Sequence, residues 1–426
     1  MSKYPLETLH KKLDIKHGFP FKSEFFSDSG HYIVLTPGNF LEAGGFKRQA
    51  GKEKYYTSEI PNDYLHDKGD LIVAMTEQAE GLLGSCALVP EDDVYLHNQR
   101  LGLITENSNV MNKEFIYYLF QTKNVRRQIK LSSSGSKVKH TSPERIYDVV
   151  APIPDIKIQE NISSFLSDID KKIELNNKIN TELEAMATLI YDYWFVQFDF
   201  PSDLSENKGK PYKSSGGKMV YNEELKREIP EGWKVKKINN VIEVKDGTHD
   251  SPKPVSSGHH LITSKNLKVE GLDFDSANLI SEEDYQNINK RSKVDTGDVL
   301  FSMIGSIGVI YKVDEENIDF AIKNVALYKT SQDVSLKNYI YMYLRSYDMQ
   351  RYMGNVVSGS IQKFIGLGAL RNMPLLIDDT TINNYKNATQ HIFGKLTLIK
   401  LENQKLVELR DWLLPMLMNG QVTVKG

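Results

Sequence analysis

The feature that most constrains this chain of 426 residues is an internal repeat with a period near 223 residues. The segment at 30–35 (GHYIVL) resembles that at 258–263 (GHHLIT), and 68–75 (KGDLIVAM) resembles 296–303 (TGDVLFSM). In the second pair, a Gly-Asp turn leads into a short apolar strand. Ordered matches of this kind predict a tandem duplication of one structural unit.

The repeat continues with an aromatic helix that runs toward a polar glycine loop. The helix segments are 115–119 (FIYYL) and 339–343 (YIYMY), and the loops are 134–136 (SGS) and 358–360 (SGS). Each unit is therefore predicted to contain short strands, a helix and then a long helix.

The long helices are predicted over 158–194 and 379–420, where apolar residues recur at three- and four-residue steps with charged residues between them. An asparagine interrupts each apolar seam, and a buried seam asparagine fixes helix register at a cost in stability. The predicted seam positions are Ile169, Ile173, Asn180, Leu183 and Ile190 in the first helix and Ile392, Leu396, Asn403, Leu406 and Leu413 in the second.

We interpret the two helices as an antiparallel coiled coil, since each needs an apolar partner surface; the alternative is two independent helices packed on their own domains. The predicted fold class is α+β, with two tandem mixed α/β domains separated by the long helices in a pseudo-two-fold internal repeat. The predicted segments are a first mixed domain at 1–154, a central long helix at 155–198, a linker at 199–228, a second mixed domain at 229–378 and a C-terminal long helix at 379–420.

Composition is that of a globular protein, because 40% of the residues are hydrophobic and 26% are charged. The sequence has neither the apolar core of a signal peptide nor a run of about 18 uncharged apolar residues. We therefore expect a cytoplasmic protein without a membrane segment. The single cysteine, Cys86, rules out an internal disulfide and a multi-cysteine zinc site.

The formal net charge of −3 argues against a protein that coats nucleic acid indiscriminately, because such binding depends on phosphate neutralisation. A local basic segment is nevertheless present, since residues 122–145 contain seven lysines and arginines and one glutamate. Such a segment is typical either of a nucleic-acid-binding face or of a solvated helix surface.

Further motifs lie at the centre of the chain: YWF at 193–195, DFP at 199–201, GKPYKSSGG at 209–217 and IPEGW at 229–233. Together with the paired Gly-Asp strands and the paired long helices, they make nearly the whole chain similar to the specificity subunits of type I restriction-modification enzymes. Any one motif is weak, but the combination is specific to that family.

This resemblance implies two target recognition domains, each reading one half of a split double-stranded DNA sequence with a non-specific spacer. It implies also that the helices bind two methyltransferase subunits and that two restriction/translocase subunits join the complex. The assembly would be a site-specific DNA adenine methyltransferase and an ATP-dependent endonuclease. S-adenosylmethionine, ATP and Mg²⁺ would belong to the partners, so this chain is expected to have no cofactor and no catalytic residue of its own.

The predicted length of the first helix agrees with a split target. A helix over 158–194 would extend roughly 55 Å at about 1.5 Å per residue. At about 3.4 Å per base pair, this corresponds to at most roughly 16 base pairs of DNA.

Searches for catalytic motifs support a non-catalytic subunit. The Asp/Asn-Pro-Pro-aromatic motif of amino-methyltransferases is missing from the sequence. The stretch 45–53 has the wrong glycine spacing for a phosphate-binding loop, and 305–308 completes no dinucleotide-binding motif. His249, His259 and His260 lack a further ligand at helical spacing, so no metal site is predicted.

Base reading requires polar side chains on loops that enter a DNA groove, with phosphate contacts beside them. The duplicated glycine loops suit this role, although ordinary surface polarity explains any single residue equally well. The predicted DNA-binding residues are Gln78, Arg126, Arg127, Ser134, Ser136, Lys137, Lys139 and His140 in the first half and His249, Lys253, Lys265, Asn266, Ser358, Ser360, Gln362 and Lys363 in the second.

Two other interpretations remain open at this point. One is a free-standing DNA-binding or scaffold protein that has no methyltransferase partner. The other is a fused enzyme whose active site escapes a motif search, against which the missing catalytic motifs count.

Overall fold

The computed structural model describes residues 2–77, 81–268, 271–359 and 363–424. The chain divides into two units. The first comprises Met1–Asn176 and Glu402–Gly426, and the second comprises Asn177–Leu401. Both boundaries fall inside the long helices, whereas the sequence analysis placed those helices in segments of their own.

The strands of the first unit are short and are joined by turns. They are β1 (Leu6–Thr8), β2 (Leu13–His17), β3 (Phe26–Ser27), β4 (Tyr32–Leu35), β5 (Tyr55–Tyr56), β6 (Leu71–Ala74), β7 (Thr76–Glu77), β8 (Cys86–Leu88), β9 (Tyr95–His97), β10 (Leu101–Glu106), β11 (Lys139–His140) and β12 (Val150–Pro152).

Two four-stranded sheets form the centre of this unit. The first is antiparallel in the order β2-β10-β6-β8. The second has the order β3-β5-β4-β9, in which β4 and β9 run parallel. Strand β1 pairs with β12, and β7 pairs with β11. All four residues of β6 are buried, which explains why this strand is continuously apolar in sequence.

The second unit is built in the same way. Its strands are β13 (Met219–Asn222), β14 (Arg227–Pro230), β15 (Lys234–Lys237), β16 (Val244–Asp246), β17 (His259–Thr263), β18 (Asn278–Ile280), β19 (Val299–Ser302), β20 (Ile310–Lys312), β21 (Phe320–Lys323), β22 (Val325–Tyr328) and β23 (Pro374–Ile377).

Strand order matches between the units. The antiparallel sheet β16-β22-β19-β20 corresponds to β2-β10-β6-β8, and the parallel pair β17 and β21 corresponds to β4 and β9. The antiparallel pair β15 and β23 corresponds to β1 and β12. Strands β13 and β14 form an antiparallel hairpin that precedes these sheets in the sequence.

The repeated sequence motifs correspond to repeated local conformations. Gly69 and Gly297 precede the central strands with φ angles of 87° and 93°, a region that favours glycine because it has no Cβ. After β4 and β17, a threonine and an asparagine three residues later form reciprocal side-chain and backbone caps on a short 3-10 turn. The repeat therefore conserves turn chemistry as well as strand order.

The α-helices are α1 (Lys113–Gln121), α2 (Lys123–Ser132), α3 (Pro143–Tyr147), α4 (Ile156–Tyr191), α5 (Glu282–Ser292), α6 (Lys337–Arg345), α7 (Tyr347–Val356), α8 (Leu367–Arg371) and α9 (Asp379–Met418). Short 3-10 turns occur at Ser23–Phe25, Pro37–Asn39, Asn62–Tyr64, Ile238–Asn240, Ser264–Asn266 and Thr330–Gln332, and one π turn occurs at Asp192–Val196. Among the described residues, none of the helices combines the length and the apolar character that crossing a membrane requires.

Helix α4 begins two residues before and ends three residues before the predicted 158–194, whereas α9 begins at the predicted residue and ends two residues before 420. Both helices form part of the core of each unit. In the first unit, Ile162 and Leu166 of α4 share one apolar cluster with Leu413 and Leu417 of α9. In the second unit, Tyr191 of α4 lies in one cluster with residues of α9. All ten predicted seam positions are buried or half-buried.

Polar contacts in the first unit show the relative direction of the two helix segments. Asp170 pairs with Arg410 at 2.9 Å, and the Asn176 side chain donates to Asn403 and to Glu402 at 2.8 Å. Residue numbers rise along α4 while they fall along α9, so the segments run in opposite directions. The partner of Asn403 is Asn176, which is 1% exposed.

Asn180, the predicted seam asparagine of α4, lies one helical turn from Asn176. Asn180 is half-buried, and its Oδ1 atom is buried without a hydrogen-bond partner. Asn180 and Asn403 are equivalent in the repeat, but two antiparallel segments bring together residues that are not equivalent. Asn403 therefore pairs with Asn176.

The segment 199–228, predicted to be a linker, is folded. Phe200 stacks on Tyr212 and Trp233 with ring centroids 4.8 Å and 5.0 Å away. Asp199 accepts hydrogen bonds from the backbone and hydroxyl of Ser214, and the segment ends in the hairpin of β13 and β14. Its Gly- and Ser-rich composition, on which the linker prediction was based, supports tight turns.

Replacing Asp170 with alanine is expected to lower the free energy of unfolding by about 1 to 3 kcal/mol. The reason is that Asp170 accepts hydrogen bonds from both Tyr118, at 2.7 Å, and Arg410, at 2.9 Å, in a largely buried setting. Urea unfolding followed by circular dichroism measures this change. Asp168→Ala is the matched control, because Asp168 lies on the same helix with an exposed side chain. Equal effects of the two substitutions would contradict the assignment.

Candidate nucleic-acid interface

The predicted reading loop of the first unit, residues 134–140, is a closed hairpin. Ser134 and His140 exchange backbone hydrogen bonds of 2.8 and 2.9 Å, and Gly135 lies between them with a φ angle of 97°. Arg145 reinforces the closure by donating to the Ser134 hydroxyl at 2.9 Å. Ser134, Ser136, Lys137 and His140 are exposed, whereas Lys139 is half-buried.

Strand pairing places this loop beside the end of the Gly-Asp strand. Lys139 and His140 form β11, which pairs with β7, and the His140 ring contacts the Thr76 hydroxyl at 3.0 Å. The predicted reader Gln78 follows β7 directly in sequence, but it lies outside the described residues. The loop and the strand end, predicted separately, are therefore neighbours.

Helix α2 provides the basic side chains next to the loop, and its two arginines differ in environment. Arg127 is exposed, as a phosphate contact requires. Arg126 is half-buried and donates to the carbonyl oxygens of Gly81 and Leu83, and burial lowers its pKa. Arg126 was predicted to be a phosphate contact, but its guanidinium instead donates to the backbone of residues 81–83.

A buried carboxylate also binds the backbone of residues 81–83. Glu77 is 5% exposed and accepts backbone hydrogen bonds from Gly81 and Leu83 at 3.1 and 2.7 Å. The carboxylate thus binds the amides and the Arg126 guanidinium binds the carbonyls of Gly81 and Leu83.

The equivalent loop of the second unit has the same closure. Ser358 and Phe364 exchange backbone hydrogen bonds of 2.9 and 3.0 Å, and the Gly305 amide donates to the Lys363 carbonyl at 3.1 Å. Ser358 and Lys363 are exposed. Ser360 and Gln362, which were predicted readers, lie outside the described residues.

A second basic feature of this unit, which we term the basic groove, lies between the segment after β16 and the parallel strands β17 and β21. It is lined by Ser251, Pro252, Lys253, Pro254, Leu261, Thr263, Lys265, Asn278 and Lys323. The structure thus brings together Lys253 and Lys265, which were both predicted. Lys323 was missed, because its position depends on the parallel pairing of β17 and β21, which joins residues about 60 positions apart.

His249 lies next to this groove and is held at both ring nitrogens. Its Nε2 atom lies 2.9 Å from Asp246 Oδ2, and its Nδ1 atom lies 2.7 Å from Asn324 Oδ1. The side chain remains 65% exposed, so it is both oriented and accessible.

Asn266 has a structural position instead of the predicted reading role. It is completely buried, its Oδ1 atom accepts from the Thr263 backbone at 3.0 Å, and its Nδ2 atom donates to Ser276 at 3.0 Å. The asparagine therefore caps the turn after β17 and is not available to a base. Asn39 caps the corresponding turn in the first unit.

No group of three or more His, Cys, Asp or Glu side chains is arranged as a metal site within the described ranges. His259, considered above for metal binding, instead hydrogen-bonds Asp319 and Glu282, and the bond to Asp319 raises the pKa of its imidazole. The two polar loops and the basic groove are thus the candidate interface.

Comparison with known proteins agrees with the resemblance found in the sequence. Residues 12–185 match the family model of the type I restriction modification DNA specificity domain. The MjaIX specificity subunit of Methanocaldococcus jannaschii is 26% identical over 335 residues, which cover 77% of this chain and 73% of that protein. The EcoBI specificity subunit of Escherichia coli is 25% identical over 365 residues, covering 84% and 72% of the two chains.

A solved structure shares the fold along almost the whole chain. The crystal structure of the type I restriction-modification S subunit from M. genitalium aligns with a TM-score of 0.56 at 13% identity, covering 98% of this chain and 96% of that one. The mixed α+β fold and the family resemblance predicted from the sequence are both confirmed.

The contrast between the arginines of α2 is testable. Arg126→Ala is expected to lower the free energy of unfolding by about 1 to 3 kcal/mol, because two carbonyl oxygens lose a charged donor. Arg127→Ala, one residue along the same helix, should change it by less than about 0.5 kcal/mol, since that side chain is exposed. Thermal and urea unfolding compare the two variants. A larger loss for Arg127→Ala would show that the contacts of Arg126 with residues 81–83 do not stabilise the fold.

Proposed function

We propose that this chain, a relative of the type I restriction enzyme specificity subunits, selects the DNA sequence on which a type I restriction-modification complex acts. The observation that carries the proposal is the duplicated arrangement of an exposed glycine loop beside the end of a Gly-Asp strand. Loop 134–140 contacts β7, and the loop that ends at Phe364 contacts the residues after β19. One such arrangement in each unit supports two readers, each taking one half of a bipartite target.

The long helices support a fixed, non-specific spacer between the half-sites. We infer that α4 and α9 pair as an antiparallel coiled coil, because their segments run in opposite directions in the first unit. Helix α4 has 36 residues, which is roughly 54 Å at about 1.5 Å per residue. Helices of this length would keep the two half-sites at most roughly 16 base pairs apart.

Two equivalent apolar surfaces on the helices support the binding of two copies of one partner. Three large apolar side chains of α4 and three of α9 are between 42% and 67% exposed. Each residue of one set is separated from its equivalent by 223 positions. The pairs are Leu175 and Leu398, Met186 and Leu409, and Leu189 and Trp412.

Each unit contains one member of every equivalent pair. The first contains Leu175, Leu409 and Trp412, which we term the first docking patch, and the second contains Leu398, Met186 and Leu189, the second docking patch. Exposed apolar side chains on a regular helix are typical of protein interfaces. We assign the patches to two methyltransferase subunits, by analogy with the family.

The remaining chemistry is assigned to partner subunits. S-adenosylmethionine is proposed to bind the methyltransferase subunits, and ATP and Mg²⁺ the two restriction/translocase subunits. This chain then binds DNA and the partner subunits and positions them relative to one another, without contributing a catalytic residue.

The proposed function is tested by single-molecule methylation sequencing of a host that expresses this chain with its neighbouring methyltransferase gene. Deleting this chain should abolish adenine methylation in one split motif, because the methyltransferase alone would have no target. A continuous motif, or a split motif whose spacing varies freely, would refute the fixed spacer. Unchanged methylation would favour a free-standing DNA-binding or scaffold protein.

The docking patches predict a change in stoichiometry. Leu189→Glu in the second patch should weaken one of two methyltransferase sites by roughly 30-fold or more, as expected for loss of a central apolar contact of about 2 kcal/mol. Combining it with Trp412→Glu should weaken both sites. Native mass spectrometry of the mixed subunits counts the copies bound, and Val334→Glu, an exposed apolar position outside the long helices, is the control. Two copies bound to the double variant would exclude the patches.

A further inference from the structure

A buried carboxylate in the second unit holds two exposed side chains at once. Asp246 is the last residue of β16 and is 3% exposed. Its Oδ1 atom accepts a hydrogen bond from the guanidinium of Arg291, near the end of α5, and its Oδ2 atom lies 2.9 Å from His249 Nε2. The side chains of Arg291 and His249 are nevertheless 57% and 65% exposed. The anion is therefore enclosed, whereas its two partners face solvent.

This arrangement fixes the orientation of both partners. A buried carboxylate is costly unless it is paired and hydrogen-bonded, so Asp246 strongly favours conformations in which both contacts are made. The second nitrogen of His249 meets Asn324, whose backbone has a φ angle of 52° and whose carbonyl accepts from Ser264 at 3.0 Å. Both nitrogens of the imidazole therefore have contacts within the protein, so His249 holds Asp246 in place and leaves the exposed Arg291 as the group available to a ligand.

Donors remain available on Arg291. A guanidinium has five N–H groups, and the contact with Asp246 is made through the Nη2 atom. The other nitrogen atoms belong to a side chain that is more than half exposed. An arginine in this state can donate a bidentate pair of hydrogen bonds to the O6 and N7 atoms of guanine, which is a common specific contact in the major groove.

The pair lies beside the basic groove. Thr248, one residue before His249, forms a parallel bridge with Lys323, whose ammonium group donates to the Ser251 hydroxyl. The lysines of this groove are suited to phosphate groups, which position a duplex without reading its sequence. Base-reading and phosphate-binding groups are therefore adjacent in the same surface.

The repeat is broken at this site. Strand β2 corresponds to β16, and its last residue is His17 where β16 ends with Asp246. Between β4 and β6 of the first unit the described elements are short 3-10 turns and the two-residue strand β5, whereas the corresponding part of the second unit contains the eleven-residue helix α5 that carries Arg291. Two units that share a frame but read different half-sites must differ where they touch bases.

We infer that Asp246 is a positioning residue that presents Arg291 to the bases of the half-site read by the second unit. Arg291 is assigned to a guanine of that half-site, and His249, whose two ring nitrogens already contact Asp246 and Asn324, is assigned to holding Asp246 in place. The inference rests on the proposed function and adds to it one base-reading residue, the carboxylate that positions it and the base that it reads.

The test compares methylation motifs of complexes assembled with the full chain and its methyltransferase partner. The variants are Arg291→Lys, His249→Gln and Asp246→Asn, with Asp246→Glu as the conservative rescue. Lys290→Ala is the matched control, because Lys290 precedes Arg291 on the same helix and is also exposed. Motifs are read by methylation sequencing of a randomised DNA library, and initial methylation rates are measured on the wild-type target.

The expected result is selective. Arg291→Lys and Asp246→Asn should slow methylation of the wild-type target roughly 10- to 100-fold and relax one or two positions of the second half-site. The first half-site should remain unchanged, which also shows that the variant complexes are folded. Asp246→Glu should recover part of the selectivity, and Lys290→Ala should retain the wild-type motif.

Two results would overturn the inference. One is an unaltered motif in the Arg291→Lys and Asp246→Asn variants. The other is a uniform loss of rate on all sequences, which would make Arg291 a phosphate contact. A wild-type complex that methylates no split motif at all would instead refute the proposed function itself, so the two failures are distinguishable.

Discussion

The burial of the apolar stripes of α4 and α9 is the interaction on which the rest of the structure depends. A helix of this length with one apolar stripe cannot remain alone in water, and in each unit a segment of α4 and a segment of α9 share a cluster with strand and helix residues. In the first unit this cluster extends from Leu166 and Leu417 to Leu71 and Val73 of the central strand. The helices are therefore part of the domain cores, and removing either would expose the sheets that carry the loops.

Polar groups within the seam select one arrangement of these helices among several that apolar packing alone would allow. Asn176 donates a hydrogen bond to Asn403, and Asp170 bridges Tyr118 of α1 to Arg410 of α9. Such pairs contribute modest net stability, because desolvation offsets much of the attraction. A slipped register would leave each of these groups buried without its partner, at a cost of about 1 to 3 kcal/mol per group. Register, more than total stability, is what the polar seam determines.

Much of this architecture is predictable from the sequence, because duplication makes the same pattern visible twice. The Gly-Asp strands, the glycine loops and the long helices all appear where the repeat predicts them. Two of the errors arise because burial cannot be read from residue type. Asn266 and Arg126 have the chemistry of DNA contacts, but one caps a buried turn and the other donates to backbone carbonyl oxygens. Lys323 was missed because long-range parallel pairing, not local sequence, determines its position.

The repeat also distinguishes the features that recur in both units from the loop side chains that differ between them. Strand order, the glycine turns and the Thr-Asn caps recur in both units, since each is needed for the chain to fold. The side chains at the ends of the loops differ: His140 contacts Thr76 in the first unit, whereas the equivalent Phe364 is 46% exposed in the second. Each loop is closed by backbone hydrogen bonds between its own two ends, and these bonds do not depend on the identity of the side chains. A duplicated frame can therefore carry different loop side chains in its two units without disturbing the helices on which both units depend.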